Sequence, residues 1–240
     1  VNPVPIVRDC SDGRVYLIEG SPFYQAQEWF LEFLLQVNDD QMLYNFRDAA
    51  GLNKKGAPEM IGWDAPDSNL RGHTTGHYLS GLALCYRATG SPVIREKAEY
   101  MVHALRECQT ALHEKKGCHK GFLSGYGEEQ FDRLEQLVRY PEIWAPYYTL
   151  HKILAGLLDC YEFAGCDEAL TIAGDLGDWV YERLSKVPHA QLNRMWSLYI
   201  AGEFGGMNDA MARLYIHTAK PEHLEAAKLF NNDRLFYPMA

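Results

Sequence analysis

His73 and His77 stand four residues apart, so a helix through them would carry both imidazoles on one face. Such a pair can bond neighbouring backbone within a helix pack, or line a pocket and accept hydrogen bonds from hydroxyls. The same spacing suits zinc, although the acidic residue of a hydrolytic zinc helix is missing between the two. Gly72 and Gly76 lower helix propensity on that turn, which the close approach of another backbone or a ligand would explain. Trp144, Tyr147 or Tyr148, and His151 recur at three- and four-residue spacing. A stripe of this kind is either core or a platform for the apolar face of a sugar, with His151 bonding at its edge. In Glu203-Phe204-Gly205-Gly206-Met207-Asn208, Glu203 can serve as a helix cap. Alternatively, Glu203 and Asn208 bind hydroxyls while the double glycine lets the backbone approach a ligand.

Glycosidases commonly use two carboxyl groups, one as acid and one as base or nucleophile. Beyond Glu203, the run Glu128, Glu129, Asp132 and Glu135 qualifies by residue type, yet such a run also reads as a solvated face. No Ser-His-Asp order, nucleotide-binding glycine loop or metal cluster stands out. The six cysteines show no CxxC pair or zinc-finger spacing, and Cys85 and Cys160 fall on apolar helix faces as small core residues.

These residues need a scaffold, and the punctuation of the chain supplies one. Ser21-Pro22 starts a helix with Trp29, Phe30, Phe33, Leu34 and Val37 at helical spacing, and Asp39-Asp40 opens a shorter one. From Gly51 to Asn69 the chain is rich in Gly, Pro and Asp and reads as a long loop, a length often functional. Three later stretches, ending near Gly90, Gly165 and Ala219, repeat one unit: an apolar helix, a tight turn, and a second amphipathic helix. The glycines suit a left-handed helix end, and Ser91-Pro92 and Asp167 restart the chain as caps. Segments 117–126 and 138–143 read as functional insertions between hairpins. The strand signal is confined to Arg14–Ile18. The fold class is therefore all-α, built from helical hairpins, with residues 1–20 as an N-terminal extended segment.

The tyrosines Tyr86, Tyr161 and Tyr215 mark equal heights on the first helix of each unit. His73, Tyr148 and Glu203 precede them by about 13, 13 and 12 residues, and His77, His151 and Gly206 by about 9 or 10. If the first helices share an axis, their starts surround one pocket.

The 240 residues are 47% hydrophobic and 23% charged, enough for one large domain or part of a bigger one. A net charge of -9 argues against nucleic acid as partner and fits a neutral glycan or small molecule. No apolar run is long enough for a membrane helix. Val1–Ile6 lack the basic start and apolar core of a secretory signal, and the cysteine usage leans toward a reducing, cytoplasmic compartment.

Five co-linear motifs then carry a resemblance: Phe46-Arg47-Asp48-Ala49-Ala50-Gly51-Leu52; Gly62-Trp63-Asp64-Ala65-Pro66; Arg71-Gly72-His73 with Gly76-His77-Tyr78-Leu79-Ser80; Trp144-Ala145-Pro146-Tyr147-Tyr148-Thr149-Leu150-His151-Lys152; and Glu203 to Asn208. In this order they resemble the β-L-arabinofuranosidase group, glycoside hydrolase families 127 and 146, over nearly the whole chain. The resemblance implies an (α/α)6 toroid followed by β-rich domains, with residues 21–240 as the front part of the toroid, incomplete and truncated before its end at about nine or ten helices. It implies retaining hydrolysis of terminal β-L-arabinofuranosides by a cysteine thiolate held on zinc with a Glu and two further cysteines, a separate Glu acting as acid/base. None of the cysteines here matches that zinc site, so no catalytic residue and no bound metal is expected in this chain, and the partner it calls for is the following part of the same catalytic domain. Sugar-pocket roles pass to His73, His77, Trp144, Tyr147, His151, Glu203 and Asn208. Another toroidal sugar enzyme, such as an unsaturated uronyl hydrolase or a sugar 2-epimerase, and a helical scaffold binding another protein are the alternatives.

Overall fold

The computed structural model describes residues 16–237, and these form twelve α-helices. In chain order they are α1 (Pro22–Gln36), α2 (Asp39–Met42), α3 (Tyr44–Ala50), α4 (His73–Thr89), α5 (Pro92–Lys116), α6 (Glu129–Glu135), α7 (Pro146–Ala164), α8 (Asp167–Leu184), α9 (His189–Trp196), α10 (Met207–Thr218), α11 (Pro221–Leu229) and α12 (Asp233–Phe236). Against about nine or ten helices expected up to Phe230, eleven are present there, because the helix expected from Asp39 divides into α2 and α3 and because α6 and α9 are short pieces without a readable apolar period. Tyr16–Ile18 form no strand, and the rest of the strand expected at Arg14–Ile18 and most of the extended segment lie outside the described residues. Cys10 lies outside them too.

The three repeats are helical hairpins, α4/α5, α7/α8 and α10/α11. Gly90 and Gly165 end their helices with φ of 67° and 69°, and Ala219 adopts the same left-handed conformation at 54°, where a Cβ is strained. Ser21 caps α1 as its sequence indicates, accepting a bond from the Tyr24 N–H at 3.1 Å. Ser91 and Asp167 do not cap by side chain: Pro92 starts α5, and Asp167 is already inside the first turn of α8.

Helices α4, α7 and α10 lie side by side in one layer, and α5, α8 and α11 form a second layer behind them. This two-layer stack of hairpins is the toroid-type arrangement that the repeats imply. Leu79, Leu82, Leu150, Ile153, Leu157, Leu176 and Leu214 are fully buried in its core.

Two glycines set the tightest seam. A Cβ on Gly76 would lie 2.2 Å from the Lys152 carbonyl, and one on Gly156 would lie 2.5 Å from the Gly76 oxygen. The backbones of α4 and α7 therefore touch, which answers what Gly76 is for: another backbone rather than a ligand.

The insertion 117–126 is structural. Phe122, Leu123 and Tyr126 are fully buried, and Phe122 and Phe131 stack around Trp179, with Tyr147, Trp196 and Phe230 continuing the aromatic core. Among the described residues no helix is long and apolar enough to cross a membrane.

Candidate active site

The starts of α4 and α7 lie together, so their first turns present side chains to one place. His73 is buried and its ring lies 6.2 Å from His77 and 6.3 Å from Tyr148, centroid to centroid. His77 is the more open of the two. Lys152 sits over the Tyr148 ring at 4.6 Å, joining a cation to the same cluster. Loss of hydration, then the Lys152 charge and His73, hold the His77 imidazole below its usual pKa. Burial likewise lowers the Lys152 ammonium.

His151 is pinned from above by the double glycine. A Cβ on Gly205 would fall 2.7 Å from its Nδ1, and one on Gly206 would fall 2.8 Å from its Nε2. The glycines thus admit backbone against this imidazole, not against a ligand. Burial, followed by the charge of Lys152, holds the His151 pKa at about 4, and its buried Nδ1 has no hydrogen-bond partner. It is a neutral ring at physiological pH.

Asp64, to which sequence reasoning gave no role, organises the floor. Its carboxylate, 3% exposed, accepts from the Gly72 N–H at 2.6 Å and from the Thr74 hydroxyl, and lies 3.2 Å from His73 Nδ1. His73 Nδ1–H also donates to the Leu70 carbonyl at 3.0 Å. Two acceptors beside one ring nitrogen place a proton there and fix the orientation of the ring. Gly72 takes φ of 105° to bring its N–H onto Asp64, which only glycine does without strain. Asn45 braces the same loop by donating to the Asp64 carbonyl at 2.8 Å.

Trp63, beside Asp64 on a 3-10 turn over Gly62–Asp64, lies 6.3 Å from His73 on one side and 6.3 Å from Trp144 on the other. Trp144 thereby joins the cluster through Trp63.

Two candidates fall elsewhere. Tyr147 is fully buried, packed edge-on against Phe131, Trp196 and Phe230, with its hydroxyl unpartnered. The helical phase turns its neighbour Tyr148 to the histidines instead. Asn208 donates to the Ala227 carbonyl at 2.8 Å and to Asn231 Oδ1 at 3.0 Å, tying α10 to the end of α11. Its amide hydrogens are used in packing. Glu203 is exposed in the turn before α10, four residues ahead of the helix, and does not cap it. It precedes by two residues the first of the glycines that cover His151.

Trp63, Asp64, Tyr148 and Lys152 were all inside recognisable motifs. Asp64 lies in an irregular loop where no periodicity assigns a direction, and Tyr147 and Tyr148 differ by one residue of helical phase. Among the described residues no group of three or more His, Cys, Asp or Glu side chains is placed to hold a metal. Cys85, Cys108, Cys160 and Cys166 are buried, and burial pushes the Cys108 and Cys166 thiols up to about 12 and 11. The described residues do not fit the zinc centre that the resemblance implies. Of the acidic run, Glu128 accepts from Trp179 Nε1–H at 2.6 Å, while Asp132 and Glu135 pair with Arg183 at 2.6 and 2.5 Å. Those carboxylates are tied up in structural contacts.

Paired helical layers with polar and aromatic side chains gathered at shared helix starts make an α/α fold with one candidate binding site. A sequence profile described as β-L-arabinofuranosidase, GH127 catalytic domain, matches residues 14–240, and the chain belongs to that glycoside hydrolase family. No match is found among curated proteins.

Proposed function

We propose that this chain forms the sugar-holding side of a glycoside hydrolase that releases terminal β-L-arabinofuranosyl units from arabinose-containing plant-type glycans. The observation that carries the reading is the convergence of His73, His77, Tyr148, His151 and Lys152 at the common start of α4 and α7. The His77 imidazole, held below its usual pKa, accepts a hydroxyl proton, Lys152 donates, and the Tyr148 ring offers an apolar face to sugar C–H groups. Asp64 and the Leu70 carbonyl hold the His73 ring in place.

The same inventory supports a division of labour. Among the described residues no group of three or more His, Cys, Asp or Glu side chains is placed to hold a metal, and Cys85, Cys108, Cys160 and Cys166 are buried. Acid/base and nucleophile are then contributed by other parts of the family's catalytic domain, and this chain by itself binds sugar without cleaving it. The exposed apolar face of α1, carrying Phe23, Trp29, Phe30 and Phe33, supports a further packing partner within that domain.

The test compares this chain with a version extended by the following part of the catalytic domain on an aryl β-L-arabinofuranoside, with zinc under reducing conditions. Turnover by the extended protein alone is expected. Turnover by neither rejects the activity, and turnover by the short chain rejects the division of labour.

A further inference from the structure

We propose that Trp63, Trp144 and Tyr140 form a second carbohydrate subsite, holding the sugar ring next to the terminal one; the proposal rests on reading the histidine cluster as a sugar pocket. Trp63 is 66% exposed and Tyr140 42%, with Trp144 half-buried between them. Trp63 meets Trp144 at 6.3 Å and 66°, and Trp144 meets Tyr140 at 5.4 Å and 76°. The exposure of Trp63 and Tyr140 leaves part of each ring open to solvent. Because the Trp63 ring also lies 6.3 Å from His73, the aromatic run begins where the polar cluster stops, and one ligand can cover both.

The loops that carry the rings are tied together before any ligand arrives. Asn69 Nδ2 donates to the carbonyls of Pro141 and Glu142 at 3.4 and 3.2 Å, linking the Trp63 loop to the Trp144 loop. Gln130 fastens both, donating to the Asn69 carbonyl at 3.0 Å and accepting from the Trp144 N–H at 3.2 Å. Arg133 donates to the Glu142 carbonyl at 3.0 Å and to its carboxylate at 2.6 Å. An indole left in water adds little to folding, whereas one fixed in place offers a ligand a flat apolar face at small entropic cost. A neutral sugar ring matches it: its axial C–H groups lie on aromatic carbon and its hydroxyls remain in water. The subsite accordingly favours an oligosaccharide of at least two rings over a glycoside with a small aglycone.

The test titrates the full chain with methyl β-L-arabinofuranoside and with a β-linked L-arabinofuranosyl disaccharide, following ligand signals by saturation-transfer NMR. In the unmodified chain the disaccharide should bind about tenfold more tightly, as one stacked ring predicts. In Trp63→Ala and Tyr140→Ala this ratio should collapse toward one, Trp63→Phe should recover most of it, and His77→Ala should weaken both ligands together. Melting of Trp63→Ala should move by no more than about 2 °C, since the ring is largely solvated. A ratio unchanged in Trp63→Ala overturns the subsite while leaving the histidine pocket intact. A ratio unchanged together with a large melting shift assigns Trp63 to packing and overturns it as well. Failure of both sugars to bind the unmodified chain rejects the pocket reading, and this proposal with it.

Discussion

His151 is a ring that resists protonation. Its pKa falls from the ordinary 6.5 to about 4, chiefly through burial and then through Lys152, while the unfolded chain leaves it near the ordinary value. Between those two values the unfolded state binds the extra proton more readily, so stability is fully present above pH 6.5 and declines as the pH drops toward 4. The loss amounts to at most about 3 kcal/mol. His77 and His223 are shifted in the same direction and add to the slope. Urea unfolding at pH 7.5 and pH 5.0 checks this: the midpoint should fall at the lower pH, and His151→Gln should reduce the difference. An unchanged difference in that variant would remove His151 from the account. At this scale the sequence was legible for residue types and spacing, which brought His73, His77, His151 and Trp144 to one place. It was blind to helical phase at Tyr147 and Tyr148, and to Asn208, whose amide is spent on Ala227 and Asn231. A loop residue such as Asp64 gains its meaning only from the three-dimensional proximity of Gly72, His73 and Thr74.

Among the elements, the seam between α4 and α7 decides how the histidines sit. Gly76→Ala would push a methyl into the Lys152 carbonyl, which backbone cannot yield to cheaply, and should destabilise the chain by about 3 kcal/mol. Gly174, in the middle of α8, has no atom within 4 Å of where its Cβ would stand. Gly174→Ala should therefore stabilise by about 1 kcal/mol through helix propensity and lost unfolded-state freedom. Chemical denaturation of both variants reads the two signs in one experiment, and a stabilising Gly76→Ala would contradict the seam. The hairpins were readable because Gly90, Gly165 and the prolines Pro92 and Pro221 punctuate long apolar periods. The pieces α6 and α9 were not, since seven and eight residues carry too little period to distinguish from loop.

For the molecule as a whole, α1 is the exposed edge. Phe33 and Trp29 are 59% and 64% exposed, and Leu34 alone among the residues of α1 is fully buried. Paired substitution of Trp29 and Phe33 by serine should lower binding of a hydrophobic dye and reduce self-association at high concentration while leaving Tm nearly unchanged. A large fall in Tm would instead show that the face supports the core. The architecture was legible from repeated units, but the sequence does not announce which faces of a hairpin stack remain open.

The contact of Gly76 with Lys152 has a consequence for how such a protein can diversify. With no side chain between the two helices, there is nothing at that junction for mutation to enlarge, shrink or recharge, and the imidazoles it aligns are inherited as a block. New ligand preferences must come from the irregular segments around Trp63, Tyr140 and Glu203, where a substitution alters the mouth and spares the frame.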